Sequence, residues 1–213
     1  MNQGIFPVYK PAGLTSHDVI DRLRRKTGIK KIGHAGTLDP LAKGVLVVAV
    51  GRQATKQLGD IVAKEKEYLA TVRFGQNSST DDEEGKKTKI KYHKIPENKD
   101  IIKALAKFKG MISQKPPIYS AIKVKGRAAY KYARKGKTLD LKIRKVNIYD
   151  IEVLKYRWPD LQLKIICGAG VYIRSIARDL GEVLGVGGYL YELERTRVGD
   201  FTKQKALSYN IDS

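Results

Sequence analysis

Between Gly33 and Pro40 the chain reads Gly33-His34-Ala35-Gly36-Thr37-Leu38-Asp39-Pro40, with one imidazole, one carboxylate and Gly-x-x-Gly backbone freedom, closed by a proline. A polar loop of this kind, clamped onto a buried strand, holds a reactive side chain rigidly, and Asp39 could then serve as a nucleophile or base. The competing reading is a tight turn, in which Asp39 hydrogen-bonds its own backbone and tolerates turn geometry. Spacing alone favours the turn, and the rest of the chain must decide.

The elements around the loop can be read from their periodicity. Gly44 to Gly51 is an apolar run of strand length directly after the loop, and Arg24, Arg25, Lys26, Lys30 and Lys31 lead into it. Gly4 to Tyr9 reads as a short strand ending in the Lys10-Pro11-Ala12-Gly13 turn. Thr15 or Ser16 can cap a helix from His17 to Lys26 that ends at Gly28. Further helices are expected over Thr55 to Lys64, with Leu58, Ile61 and Val62 inward, and over Asp100 to Phe108, with Ile101, Ile102, Leu105 and Phe108 inward. Glu67 to Gly75, Val146 to Tyr156 and Leu161 to Cys167 read as strands, the last two joined across Trp158-Pro159-Asp160. Val171 to Gly181 begins as strand and continues as a helix closed by Gly181, and Tyr189 to Val198 is extended or mixed. Strand and helix alternate irregularly, so the fold class is α+β with a central mixed or antiparallel sheet, not a parallel doubly wound one.

Charge is the unusual feature of the composition: 42 Lys+Arg against 22 Asp+Glu, a net +20 spread over most of the length. Such a field favours a polyanion, nucleic acid ahead of an acidic membrane surface, although a generally lysine-rich proteome would give the same balance. Between Arg127 and Lys137, Tyr130 and Tyr132 interleave with Arg127, Lys131, Arg134, Lys135 and Lys137. This combination offers phosphate neutralisation plus stacking, or else a solvated basic helix with inward tyrosines. The single cysteine, Cys167, reads as a core residue and cannot build a zinc site with three scattered histidines. The acidic run Asp81-Asp82-Glu83-Glu84 lacks the closing glutamate of a calcium loop and reads as solvated, so no metal is expected. Neither a signal peptide nor a spanning segment is visible, and the expected location is cytoplasmic.

Taken together, five ordered stretches resemble one family. They are Lys10-Pro11-Ala12-Gly13-Leu14-Thr15-Ser16, Gly33 to Lys56, Lys66-Glu67-Tyr68, Gln114 to Ala121 and Gly170 to Ser175. They are similar to the signatures of the TruB-type pseudouridine synthases, which isomerise the T-loop uridine at position 55 of tRNA, and they lie in register from about Gly4 to Gly199. The resemblance implies the pseudouridine synthase fold in one catalytic domain over 1–213, with an insertion at about 111–138 that grips tRNA. It implies Asp39 as the catalytic nucleophile, Arg174 as the arginine paired with it, and Tyr68 as the tyrosine that stacks on the base and takes part in removing the C5 proton. It further implies substrate contacts from His34, Tyr172, Leu193 and Asp82, with Lys10 and Pro11 supporting the pocket. His34 would stack in place of the extruded nucleotide. No cofactor is implied, since the reaction is an isomerisation without redox change.

Two departures from the family pattern stand out. Ser78-Ser79-Thr80 replaces the usual Thr-Asp-Thr, and no C-terminal PUA domain is expected between Gly199 and Ser213. The implied partner is the tRNA T-arm, bound by a monomer with no membrane and no obligate protein partner. The alternatives are a guide-RNA-directed relative and a non-catalytic RNA-binding module on the same scaffold. The second is disfavoured by the joint presence of Asp39, Tyr68 and Arg174.

Overall fold

The apolar run after the opening loop forms a strand whose residues Val45 to Val50 are all fully buried, as expected for β-branched side chains covered on both faces. The computed structural model describes residues 3–120, 122–124, 126–133, 136 and 139–209. Arg134, Lys135 and Lys137 of the basic run, and Ala121 of the fourth motif, lie outside the described residues. In chain order the first elements are β1 (Gly4–Lys10), α1 (Ser16–Thr27), β2 (Ile32–Ala35), β3 (Lys43–Val50), α2 (Arg52–Lys56), α3 (Leu58–Ala63), β4 (Lys66–Phe74), β5 (Gln76–Ser78) and β6 (Lys87–Lys89). They are followed by α4 (Asn98–Leu105), β7 (Gly110–Gln114), β8 (Lys123–Val124), β9 (Arg127–Ala128), α5 (Ala129–Ala133), β10 (Arg144–Arg157), β11 (Asp160–Cys167), α6 (Ile173–Val183), β12 (Gly188–Val198) and β13 (Phe201–Thr202).

The chain packs as two compact units. The first comprises Met1–Leu69, Lys164–Ala169 and Glu192–Ser213, and the second Ala70–Leu163 and Gly170–Tyr191. In the first unit β3 pairs antiparallel with β1, from Gly4↔Val50 to Lys10↔Gly44, and antiparallel with β2, from Ile32↔Val50 to Ala35↔Val47. It pairs in parallel with β12 at Arg195↔Gly44. Ala35, Val45, Val47, Ile61 and Val198 form one core cluster here, with Ile5, Leu58 and Phe201 packed on it. In the second unit β7 pairs antiparallel with β10, and α4 packs against β10 and α6. The α+β expectation with a mixed, mostly antiparallel sheet therefore holds.

Helix α1 begins where a cap was expected. Thr15 accepts from the Asp18 N–H, Asp18 accepts from the Thr15 N–H, and Gly28 closes the helix at φ +69°.

Four local expectations are corrected. The helix expected over Thr55 to Lys64 is broken at Gln57 into α2 and α3. The six-residue α3 turns Ile61 inward but leaves Val62 exposed. The helix expected over Asp100 to Phe108 starts at Asn98, where Glu97 and Asp100 form a capping box. Its last turn tightens to a 3-10 turn over Ala106–Phe108, and Ile102 faces out at 63% exposure. Val171 and Tyr172 are not strand; Tyr172 is the N-cap of α6. Finally, Gly181 lies inside α6 and does not end it. A Cβ at Gly181 would collide with the backbone of Gly187 and Gly188, so the glycine serves close packing instead of termination. No described helix is long and apolar enough to cross a membrane.

Candidate active site

In the first unit, the loop carrying Asp39 joins β2 to β3 and is fastened from several directions. The buried Ser16 hydroxyl donates to the Leu38 carbonyl at 3.0 Å and accepts from the Leu38 N–H at 2.9 Å. The Ala42 N–H donates to the Asp39 carbonyl at 3.0 Å, so the turn that Asp39 suggested from sequence is present as well. Lys10, with no exposed surface, donates to the carbonyls of Pro11 (2.8 Å), Leu14 (2.6 Å) and Pro40 (3.4 Å). The Gly13 N–H also reaches the Pro40 carbonyl, at 2.8 Å. A buried ammonium is tolerable because these carbonyls replace its water. The two N-terminal motifs are thus one structural device: Lys10 and Ser16 hold the backbone on both sides of Asp39.

Tyr68 is 7% exposed, and Leu193 is also buried. Burial raises the Tyr68 phenol pKa above its usual value, as does the nearby Asp39 charge, while the Arg195 guanidinium within hydrogen-bonding reach pulls it back. Burial is the largest of these influences, so the hydroxyl stays protonated at neutral pH. His34 is brought to the same unit. Its imidazole pKa falls to about 4, chiefly through burial and then through the charges of His17 and Arg195. His17 meets the His34 ring edge-on at 6.0 Å. A neutral, half-buried imidazole is a stacking surface and not a cation.

In the second unit, Arg174 sits in the first turn of α6, 4% exposed, although its residue type alone suggests a surface cation. It donates to Asp82 at 3.3 Å, to the Thr80 carbonyl at 3.2 Å and to the Tyr119 carbonyl at 2.8 Å. Asp82 is only 2% exposed and also accepts from the Thr80 hydroxyl and from the Glu84 N–H. The expectation of a solvated acidic loop holds for Glu83 and Glu84, which are exposed, and is corrected for Asp82, which is buried against a buried guanidinium. Asp81, at φ +61°, pairs with Arg178 at 2.8 Å, and the Asp81 N–H and carbonyl bond Ser78 and Leu190. Tyr172, immediately before Arg174, is clasped by Gln114, whose amide accepts from the Tyr172 N–H at 2.8 Å and donates to its carbonyl at 3.1 Å. The Gln114 and Tyr172 motifs meet through this clasp.

The predicted site residues thus fall into two sets, Lys10, His34, Asp39, Tyr68 and Leu193 in one unit and Asp82, Tyr172 and Arg174 in the other. Sequence reasoning missed Arg195, which is 1% exposed and bonds the Gly36 and Val45 carbonyls on either side of the Asp39 loop. A signal existed: in a strand, Arg195 shares its face with Leu193, two residues before it. Among the described residues, no cluster of three or more His, Cys, Asp or Glu side chains could hold a metal ion.

Comparison with known proteins identifies the family. Residues 24–173 match the TruB family pseudouridylate synthase (N-terminal domain) model, and residues 174–210 match the tRNA pseudouridylate synthase B C-terminal domain model. The chain is 45% identical to the tRNA pseudouridine synthase B of Thermobifida fusca, over 98% of this chain and 73% of that protein. It is 48% identical to the protein of the same name from Mycobacterium sp. strain KMS, over 99% of this chain and 71% of that one. Among solved structures, a chain of a Cbf5-Nop10-Gar1 complex superposes with a TM-score of 0.74 at 32% identity, over 96% of this chain and 52% of its own. A chain of the archaeal box H/ACA sRNP Nop10-Cbf5 complex gives a TM-score of 0.71 at 29% identity, over 97% and 51%. The chain spans about half the length of those two solved chains. On the family models and the identity across its length, this chain belongs to the TruB family of pseudouridylate synthases.

Proposed function

We propose that the protein isomerises the T-loop uridine at position 55 of tRNA to pseudouridine, as a cytoplasmic monomer that needs neither cofactor nor obligate protein partner. The observation that carries this reading is the Asp39 loop, fixed by Lys10 and Ser16 in a chain of this family that also buries Tyr68. The target carbon is not exposed in a folded loop, so the nucleotide is extruded into the site and its lost stacking must be replaced. Tyr68 and Tyr172 offer aromatic faces, Leu193 an apolar wall, and the neutral His34 a ring for the space the nucleotide leaves. Asp39 adds to the uridine as the bond from the sugar to N1 breaks and is released as the sugar is rejoined through C5, and the proton lost from C5 is balanced by the one gained at N1.

Arg174 matches the arginine that the family resemblance gives to the catalytic carboxylate. Asp82 supports it by holding the guanidinium, and this reading replaces direct contact of Asp82 with flipped bases. Because burial keeps the Tyr68 hydroxyl protonated, stacking suits Tyr68 better than acting as the base. The net +20 charge supplies phosphate affinity. The test is to incubate unmodified tRNA with the enzyme and map pseudouridine. Product confined to the T-loop uridine supports the reading, and product at other positions, or none, overturns it.

A further inference from the structure

Arg195 is the largest fully buried side chain whose place the proposed chemistry does not explain. It projects from β12, where its backbone pairs with Gly44 so closely that a Cβ on Gly44 would collide with the Arg195 carbonyl. Its Nε–H donates to the Val45 carbonyl at 2.8 Å, just after the Asp39 loop, and Nη2 donates to the Gly36 carbonyl at 2.9 Å, just before it. Gly36 has φ +80°, and a Cβ there would lie 3.4 Å from Nη1. The same guanidinium charge also acts on the buried Tyr68 hydroxyl. One planar group therefore bonds both ends of the loop.

The partners of these bonds are two carbonyls, both neutral. Burying a guanidinium against neutral acceptors is costly for stability compared with an apolar side chain of similar size. The arrangement instead suits a group whose rigid fork must hold two carbonyls at fixed positions, which a lysine's point charge cannot do. We propose that Arg195 is a positioning residue that locks the Asp39 loop and the Tyr68 hydroxyl into one reacting geometry. This inference rests on the pseudouridine synthase reading above. It acts through the Gly36 and Val45 carbonyls that flank the loop, and through its charge on Tyr68.

The test uses the full chain and unmodified tRNA, with Arg195→Lys, Arg195→Met, Tyr68→Phe and the Arg195→Lys/Tyr68→Phe double variant. Misplacing a catalytic group by about 1 Å costs on the order of 100-fold in rate. The single-turnover rate of Arg195→Lys should fall by that order while its Kd for tRNA stays at the wild-type value. The two single losses should also fail to multiply in the double variant, because both act on the same geometry. An Arg195→Lys variant with the wild-type rate would overturn the inference. So would a rate loss matched by an equal loss of tRNA binding or of folded protein, since that describes a structural residue. If Arg195→Met does not fold, Arg195→Lys carries the test, and failure of both to fold overturns the positioning role. A wild-type enzyme that forms no pseudouridine would overturn the proposed function itself, whereas an active wild type with an equally active Arg195→Lys overturns only this inference.

Discussion

Replacing Asp82 with asparagine removes one negative charge from beside a guanidinium that is almost wholly buried, while keeping the shape of the side chain. The remaining oxygen can still accept from the Thr80 hydroxyl and the Glu84 N–H, so the loop's own hydrogen bonds survive. The new amide group, however, points a donor at a donor. Breaking a buried ion pair by removing one partner costs about 3–5 kcal/mol. The Thr80 and Tyr119 carbonyls still accept from Arg174, which places the expected cost at the lower end, about 3 kcal/mol. For a chain of this length that corresponds to a fall in Tm of roughly 6–12 °C. The internal control is Asp150→Asn. The Lys109–Asp150 pair is shorter, 2.8 Å against 3.3 Å, but its side chains are 60% and 49% exposed. An exposed pair contributes about 0–1 kcal/mol, so the closer pair should matter less. Urea denaturation and thermal melting of both variants provide the readout. A cost below about 1 kcal/mol for Asp82→Asn, equal to that of the control, would refute the claim that burial makes this pair important.

Three further outcomes follow from other parts of the structure. Gly181→Ala should destabilise by about 2–4 kcal/mol despite the roughly 1 kcal/mol that alanine gains in a helix, because its Cβ meets the Gly187–Gly188 backbone; a higher Tm would contradict this. His34 takes up its proton near pH 6.5 when unfolded but only near about 4 when folded, so the unfolded chain binds more protons between those values. Stability should therefore fall as pH drops through that window, by at most about 3 kcal/mol given its partial exposure, and His34→Gln should flatten the slope in acid denaturation. Binding of tRNA should weaken by roughly tenfold or more between about 50 and 200 mM salt, and a flat titration would remove the role assigned to the basic surface.

Elements with a single dominant period were legible in the sequence: β3 from its unbroken apolar run, and α1 from its cap, its apolar stripe and Gly28. What escaped depended on contacts between distant segments. Gly181 looks like a helix terminator because glycine usually marks a helix end, yet here it answers to Gly187 and Gly188, which local pattern cannot reveal. Asp82 looks solvated in an acidic run because its arginine lies 92 positions away in sequence. Gln57 carries no breaker signal, and α2 and α3 each pack against β2 on either side of it, a contact that local propensity does not show. The candidate site was legible only as a set of motifs. Asp39 alone reads as a turn residue, and indeed its carbonyl closes one. Arg195 carried no motif, and only its strand face, shared with Leu193, pointed inward.

The central claim is that Asp39 performs the chemistry and that the fold exists to hold it. The direct measurement is pseudouridine formation on unmodified tRNA by wild type and Asp39→Asn, with tRNA affinity measured on the same preparations. Wild type should convert the T-loop uridine, while Asp39→Asn should bind tRNA equally well and form no product. Equal product from the two proteins would contradict the role given to Asp39.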